Sequence, residues 1–145
     1  QTAFYNLLGM ETLGLRMERA CDNAKKLAEF LNTYPDVTVN YPGLSDSLWH
    51  AQAEKVLQNG YGAILTIRVG SKERAFDLIN TLTIPKIVSN IGDTKTLIIH
   101  PESTLNAHST QKEKEEAGVF DDLIRISVGI EDVEDLIEDF KHALK

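Results

Sequence analysis

The stretch Asp122-Leu-Ile-Arg-Ile-Ser-Val-Gly129 has the pattern of a half-buried β-strand with one cation in its middle. Ile124, Ile126 and Val128 alternate with the residues between them, and this period of two places the two sets on opposite faces of a sheet. Arg125 is therefore predicted to point away from the core side. A planar guanidinium suits a carboxylate and an unpaired buried charge is unfavourable, so we expect an anion beside it. That anion is either one of the 22 acidic residues of the chain or part of a ligand.

Further stretches accompany this strand in one order along the chain, namely Asn6–Arg19, Val39–Gly43, Gly62–Thr66, Asn90–Thr104 and Ala117–Val119. Together with Leu123–Ile137, they resemble the Cys/Met-metabolism family of pyridoxal-phosphate (PLP) enzymes, and most of all its O-acetylhomoserine sulfhydrylase branch. The resemblance covers essentially all 145 residues. It implies the small C-terminal domain of a fold-type I PLP-dependent transferase, with a largely antiparallel sheet.

The same resemblance assigns a binding role to a few side chains. It implies that Arg125 binds the α-carboxylate of an amino-acid substrate, and that Asn90, with neighbouring Ser89, lies in the loop that helps to hold this carboxylate. The lyases of the family tend to have Ser at the position of Asn90. A bidentate guanidinium would fix the orientation of the amino acid, which is a positioning role rather than proton transfer.

Two further features of the sequence bear on the site. Ser103 and Thr104 match a strand-end motif of the family near the entrance of the site, although Asn106 stands where that motif usually has His. Arg68, on the polar side of the predicted strand 63–69, is the competing candidate for an anion clamp.

The reaction that the resemblance implies is PLP-dependent replacement of the acetoxy group of O-acetylhomoserine by sulfide or methanethiol. Cystathionine γ-synthase, methionine or cystathionine γ-lyase, and a non-catalytic stand-alone module stay open as alternatives. The family's Schiff-base lysine lies in a Ser-x-Thr-Lys motif followed by Gly-His, and Ser109-Thr-Gln-Lys112 shares only its bare spacing. We therefore predict no catalytic, cofactor-binding or metal-ligating residue in this chain. The cofactor is expected in the N-terminal large domain, and the isolated chain is predicted to be inactive.

Composition limits the class of protein. At 145 residues and 42% hydrophobic, the chain is predicted to be one domain with an ordinary core. A formal net charge of −7 argues against a nucleic-acid or anionic-membrane partner. The single Cys21 fits a reducing compartment, and no apolar run approaches the ~18 residues of a membrane span, so we expect a cytoplasmic protein. The absence of an initiating Met at Gln1 indicates a fragment, and the family implies a homodimer or homotetramer.

The order of elements predicts an α/β chain of the α+β two-layer type. Residues 1–33 are expected to contain the long linking helix, and residues 34–145 the sheet-and-helix body. Apolar positions recur at three and four between Glu11 and Asn32, whereas several later segments alternate with a period of two. The sum predicts four or five short strands with the helices packed against one face.

Overall fold

The computed structural model describes the whole chain, from Gln1 to Lys145. Its strands are β1 (Thr38–Asn40), β2 (Ile64–Arg68), β3 (Lys86–Ile87), β4 (Leu97–Ile99) and β5 (Leu123–Ser127). Its helices are α1 (Thr2–Met10), α2 (Leu13–Leu31), α3 (His50–Val56), α4 (Lys72–Thr81), α5 (Gln111–Glu116) and α6 (Val133–Ala143). The mixed α/β class predicted from the sequence is confirmed.

The five strands form one sheet in the order β1-β2-β5-β4-β3. Neighbours are antiparallel except for β3 and β4, which are parallel. The sheet is therefore mostly antiparallel, as predicted, and β5 lies at its centre. Pro85 precedes β3 and has no N–H to donate, which fits the position of this strand at the edge.

One face of the sheet forms the core with the helices. Ile124, Ile126 and Val128 are at most 1% exposed, and Leu65 and Ile67 of β2 lie opposite Ile126 and Ile124 on the same face. Three helices contribute to this cluster through Ala24, Leu27, Ala28, Leu31, Ala75, Leu78, Ile79, Leu136 and Phe140. Burial of a large apolar side chain contributes roughly 1.5 to 3 kcal/mol, so this inner face holds α2, α4 and α6 to one side of the sheet.

Three helices, α4, α5 and α6, begin at a polar side chain that caps them. Ser71 accepts a hydrogen bond from the backbone N–H of Arg74 at the start of α4. At the start of α6, Asp132 accepts from the backbone N–H of Glu134. None of the helices combines the length and the apolarity that a membrane span requires.

The helix predicted between Glu11 and Asn32 is α2, and it does not extend through all of residues 1–33. It is separated from α1 at Glu11 and Thr12, where Thr12 has the non-helical angles φ −105° and ψ 5°. Gly9 and Gly14 lie on either side and lower the helix propensity of the segment. The guanidinium of Arg16 donates to the backbone oxygen of Gly9 at 2.6 Å and to Thr12 Oγ1 at 3.2 Å, and so satisfies a carbonyl near the end of α1.

Candidate functional site

The face of the sheet opposite the core, which we call the outer face, carries Arg125. In the register of the sheet, Arg125 lies between Thr66 of β2 and Ile99 of β4. Its Nη2 donates to the backbone oxygen of Ser89 at 2.6 Å and, at 3.5 Å, to that of Asn90. The structure therefore brings together the three residues that the sequence singles out for substrate binding.

Arg125 has no acidic partner within the chain. None of the salt bridges includes it, and its Nε and Nη1 make no hydrogen bond to another residue of the chain. Carbonyl oxygens orient a guanidinium but do not neutralise it. The half-buried cation is thus available to an external anion, and the internal ion pair that the sequence left open is not formed.

Arg68, the competing candidate, is paired. Its Nε donates to Asp122 Oδ1 at 2.8 Å, and its guanidinium carbon lies 4.0 Å from the centroid of the Phe120 ring. Asp122 is 4% exposed and also accepts from the backbone N–H of Gly70 at 3.0 Å. Because its charge is balanced locally, Arg68 serves the sheet rather than a ligand.

The loop of residues 89–95 crosses the outer face and is held to it by hydrogen bonds. Its side chains are exposed, so little apolar burial fixes it. The hydroxyl of Ser127 accepts from the backbone N–H of Gly92 at 3.1 Å. Within the loop, the backbone N–H of Lys95 donates to Asp93 Oδ1 at 3.0 Å, and this bond lowers the pKa of the Asp93 carboxyl. The 89–95 loop is therefore positioned mainly by polar contacts.

Glu131 anchors the C-terminal end of this loop. Its carboxylate accepts from the backbone N–H of Thr96 at 2.5 Å and from the Thr96 hydroxyl at 2.9 Å. The Thr96 oxygen in turn accepts from the backbone N–H of Gly129 at 3.0 Å. Glu131 thus bonds back to the residue before β4, and Asp132 alone caps α6.

Ser103 and Thr104 are occupied by local contacts. The Thr104 hydroxyl donates to the backbone oxygen of His100 at 2.6 Å. His100 Nε2 lies 2.7 Å from the backbone oxygen of Asp121, which can only accept, so Nε2 carries the proton and Nδ1 accepts from the Ser103 hydroxyl at 2.8 Å. The strand-end motif thus holds a buried histidine in place.

A cavity of about 380 Å³ adjoins the 89–95 loop at the end of the sheet where β2 begins and β5 ends. It lies between that loop, Arg16 and Met17 of α2, Ile64 of β2, and Ser127. Its lining is mostly apolar and contains no lysine. No three His, Cys, Asp or Glu side chains of the chain lie together in a way that could hold a metal ion.

Comparison with known proteins identifies the family. The model of the Cys/Met metabolism PLP-dependent enzymes matches residues 1–145. This chain belongs to that family. The resemblance inferred from the sequence motifs is thereby confirmed, and PLP is the cofactor of the family.

Relatives within the family include enzymes of different names. The chain is 44% identical over 144 residues to a homocysteine synthase of Schizosaccharomyces pombe, a match that covers 98% of this chain and 34% of that protein. It is 42% identical over 147 residues to an L-methionine gamma-lyase of Fusobacterium nucleatum, covering 100% of this chain and 37% of the relative. The chain therefore spans about a third of the length of these curated relatives.

The fold also matches that of a solved structure. A Campylobacter jejuni protein described as an O-acetylhomoserine (thiol)-lyase, crystallised with a pyridoxyl-lysine phosphate group, superposes with a TM-score of 0.91 at 37% identity. The match covers 95% of this chain and 33% of that protein.

The cavity beside the 89–95 loop does not have the residues that a PLP site needs. Such a site needs a lysine amine and phosphate donors around one pocket, and the cavity beside the 89–95 loop has no lysine among its lining residues. What the outer face does present is a guanidinium without an acidic partner.

Proposed function

We propose that this chain is the C-terminal domain of a PLP-dependent enzyme that replaces the acetoxy group of O-acetylhomoserine with sulfide or methanethiol. In this proposal, Arg125 binds the α-carboxylate of the amino acid, and the loop carrying Ser89 and Asn90 encloses it. One observation carries the proposal. Arg125 contacts no carboxylate of the chain, whereas Arg68, on the same face of the sheet, is paired with Asp122. The names of a homocysteine synthase and an O-acetylhomoserine (thiol)-lyase among its relatives support the reaction.

The role of Arg125 is binding and orientation. Its Nη2 is oriented by the Ser89 carbonyl, and a second N–H of Nη2, together with that of Nε or Nη1, can donate to a carboxylate. A guanidinium that is already oriented loses little conformational freedom when the carboxylate arrives. Two parallel hydrogen bonds would hold the amino acid in one orientation. A bound substrate that is already oriented for reaction reacts faster.

The cofactor and the rest of the active site are assigned to the remaining length of the protein. Residues 1–33 are the proposed link to it, because α1 has no buried residue and exposes Phe4, Tyr5, Leu7, Leu8 and Met10. An exposed apolar surface of this kind is unusual on a free-standing domain and is typical of a contact with another domain or chain. The prediction of a cytoplasmic, homo-oligomeric enzyme belongs to that complete protein.

The test of the site uses the full-length enzyme with O-acetylhomoserine and sulfide. Arg125→Ala is expected to raise KM for the amino acid and to lower kcat/KM by roughly thirtyfold or more, because loss of a charged partner costs roughly 2 to 5 kcal/mol. The absorbance of bound PLP should not change. Arg68→Ala is the matched control on the same face and should leave KM close to that of the unmodified enzyme. Unchanged kinetics in Arg125→Ala would remove the site assignment.

A methionine γ-lyase is the second candidate, because a lyase relative is nearly as similar in sequence, at 42% identity. Incubation with methionine alone separates the two, since a lyase releases methanethiol whereas the proposed transferase consumes O-acetylhomoserine only with a thiol. A full-length protein that is inactive in both assays would favour a non-catalytic module.

A further inference from the structure

Ser127 lies under the 89–95 loop, two residues after Arg125 on the outer face. It is 2% exposed, and its hydroxyl accepts from the backbone N–H of Gly92 at 3.1 Å. A serine among hydrophobic strand residues loses its contact with water, so this hydrogen bond offsets an otherwise unfavourable burial. The sequence shows only a small polar residue at an outward position and does not indicate this partner.

The two side chains of β5 hold the loop at two points. Arg125 binds the carbonyl of Ser89, and Ser127 binds the N–H of Gly92. Their Cα atoms are about 7 Å apart along the strand, which is a distance that the three-residue step from 89 to 92 can span. Asn90 lies between the two anchors. Its position is therefore set by one hydrogen bond on either side.

The conformation of Gly92 depends on its being a glycine. Its φ is +75°, in the left-handed region, and a Cβ there would meet no atom within 4 Å. Glycine is therefore favoured at position 92 by its backbone angle and not by a lack of space for a side chain. The turn directs the Gly92 N–H to Ser127, and the preceding residues return over Arg125.

We propose that Ser127 is a positioning residue for the carboxylate site: through Gly92 it holds the Ser89 carbonyl and Asn90 in the geometry that orients the Arg125 guanidinium. The inference rests on the proposed function. Ser127 is 2% exposed, so the role that we assign to it is positioning of the loop and not direct contact with substrate. Ser127 should therefore affect binding of the ligand's carboxylate, which Arg125 is proposed to bind, and not binding of the rest of the ligand.

This assignment predicts a dependence on the carboxylate of the ligand. Norleucine and n-pentylamine form a suitable pair of probes, because the second is the first without its carboxyl group. Dissociation constants for both are measured on the full-length holoenzyme from the change in PLP absorbance. Ser127→Ala should weaken norleucine binding about tenfold and leave pentylamine unchanged, since a small misplacement of a binding group commonly costs one to two orders of magnitude.

Two further variants complete the experiment. Ser127→Thr keeps the hydroxyl and, because position 127 borders the 380 Å³ cavity, has room for a methyl group; it should restore norleucine binding. If Ser127→Ala does not fold, this variant is replaced by Ser127→Cys, a weaker acceptor, with the same expected direction. Arg125→Lys tests the site itself and should weaken norleucine but not pentylamine.

The outcomes separate the inference from the proposed function. If Arg125→Lys weakens norleucine selectively but Ser127→Ala does not, the inference is wrong and the carboxylate site stands. If Ser127→Ala weakens both probes by the same factor, Ser127 has only a general structural role and the inference is again wrong. If Arg125→Lys has no selective effect, the proposed carboxylate site is itself wrong.

Discussion

At the scale of single residues, the outer face shows how one residue type takes two roles. Arg68 and Arg125 both project from neighbouring strands, yet only Arg68 meets a carboxylate, that of Asp122. Asp122 accepts from both Arg68 and the backbone of Gly70. Charge balance inside the chain therefore distinguishes a structural arginine from one that can bind a ligand.

Asp122→Asn tests the structural pair. The substitution removes the charge from a residue that is 4% exposed and should lower the free energy of unfolding by about 1 to 3 kcal/mol, as for hydrogen bonds to charged groups. Urea denaturation measures this change. Asp36→Asn is the control, because Asp36 pairs with Arg74 but is 54% exposed at its side chain, and exposed pairs contribute about 0.2 to 1 kcal/mol. Equal effects of the two substitutions would contradict the assignment.

At the scale of elements, Glu102 connects α4 and α5 to the end of β4. Its carboxylate lies 2.8 Å from Lys72 Nζ and 2.5 Å from Lys114 Nζ. The hydrogen bonds from Lys114 and Lys72 lower the pKa of Glu102 to about 2. Helix α5 has no buried residue of its own, so this ion pair is a main attachment of the helix to the body.

The lowered pKa of Glu102 predicts how stability changes with pH. The carboxylate contributes fully above its ordinary pKa of 4.5, and the contribution is lost as the pH falls through about 2. The difference in free energy of unfolding between the native chain and Glu102→Gln should therefore be largest near neutral pH and shrink below about pH 4.5. Urea titrations across this range check it, with Glu138→Gln as an exposed control. A difference that is independent of pH would contradict the role.

Gly129 limits how the loop meets the central strand. A Cβ at this position would overlap the backbone oxygen of Thr94, a Glu131 carboxylate oxygen at 2.5 Å and the backbone carbon of Lys95 at 2.6 Å. Gly129→Ala should therefore displace the 89–95 loop and weaken norleucine binding by the full-length enzyme about tenfold or more. Gly70→Ala is the control for a glycine outside this contact, since a Cβ at Gly70 has open space and only its φ of +90° is strained. Unchanged norleucine binding in Gly129→Ala would contradict the close approach.

The elements show what local pattern can and cannot predict. The alternation around Arg125 depends on neighbouring residues and is visible in the sequence. The contact of Arg125 with the Ser89 carbonyl and the bond between Thr96 and Glu131 join residues 36 and 35 positions apart, for which no local signal exists. The separate helix α1 has no counterpart in the sequence prediction, because the apolar periodicity begins only after Glu11.

At the scale of the whole molecule, the helices cover one face of the sheet and leave α1 without a buried side. The unpaired apolar residues of α1 belong to the proposed contact with the rest of the protein. Leu7, for example, is 61% exposed. The stability of the 145-residue chain should thus be nearly independent of them.

Leu7→Asp tests this division. In the 145-residue chain, the free energy of unfolding should change by less than about 0.5 kcal/mol, as for an ordinary surface substitution. In the full-length enzyme, the thermal midpoint should fall, because a charge would be buried in the proposed contact. Asn6→Asp adds the same charge on the same helix without removing an apolar side chain and is the control. A full-length enzyme that tolerates Leu7→Asp as well as the control would contradict the contact.

The pleat of β5 also has an evolutionary consequence. Core residues and the residue that we propose to bind the ligand alternate along β5, so a substitution on one face can leave the other face unchanged. A saturation library can be scored separately for cellular abundance and for growth. Substitutions at positions 124 and 126 should lower the abundance of the protein, whereas substitutions at position 125 should impair growth without lowering abundance.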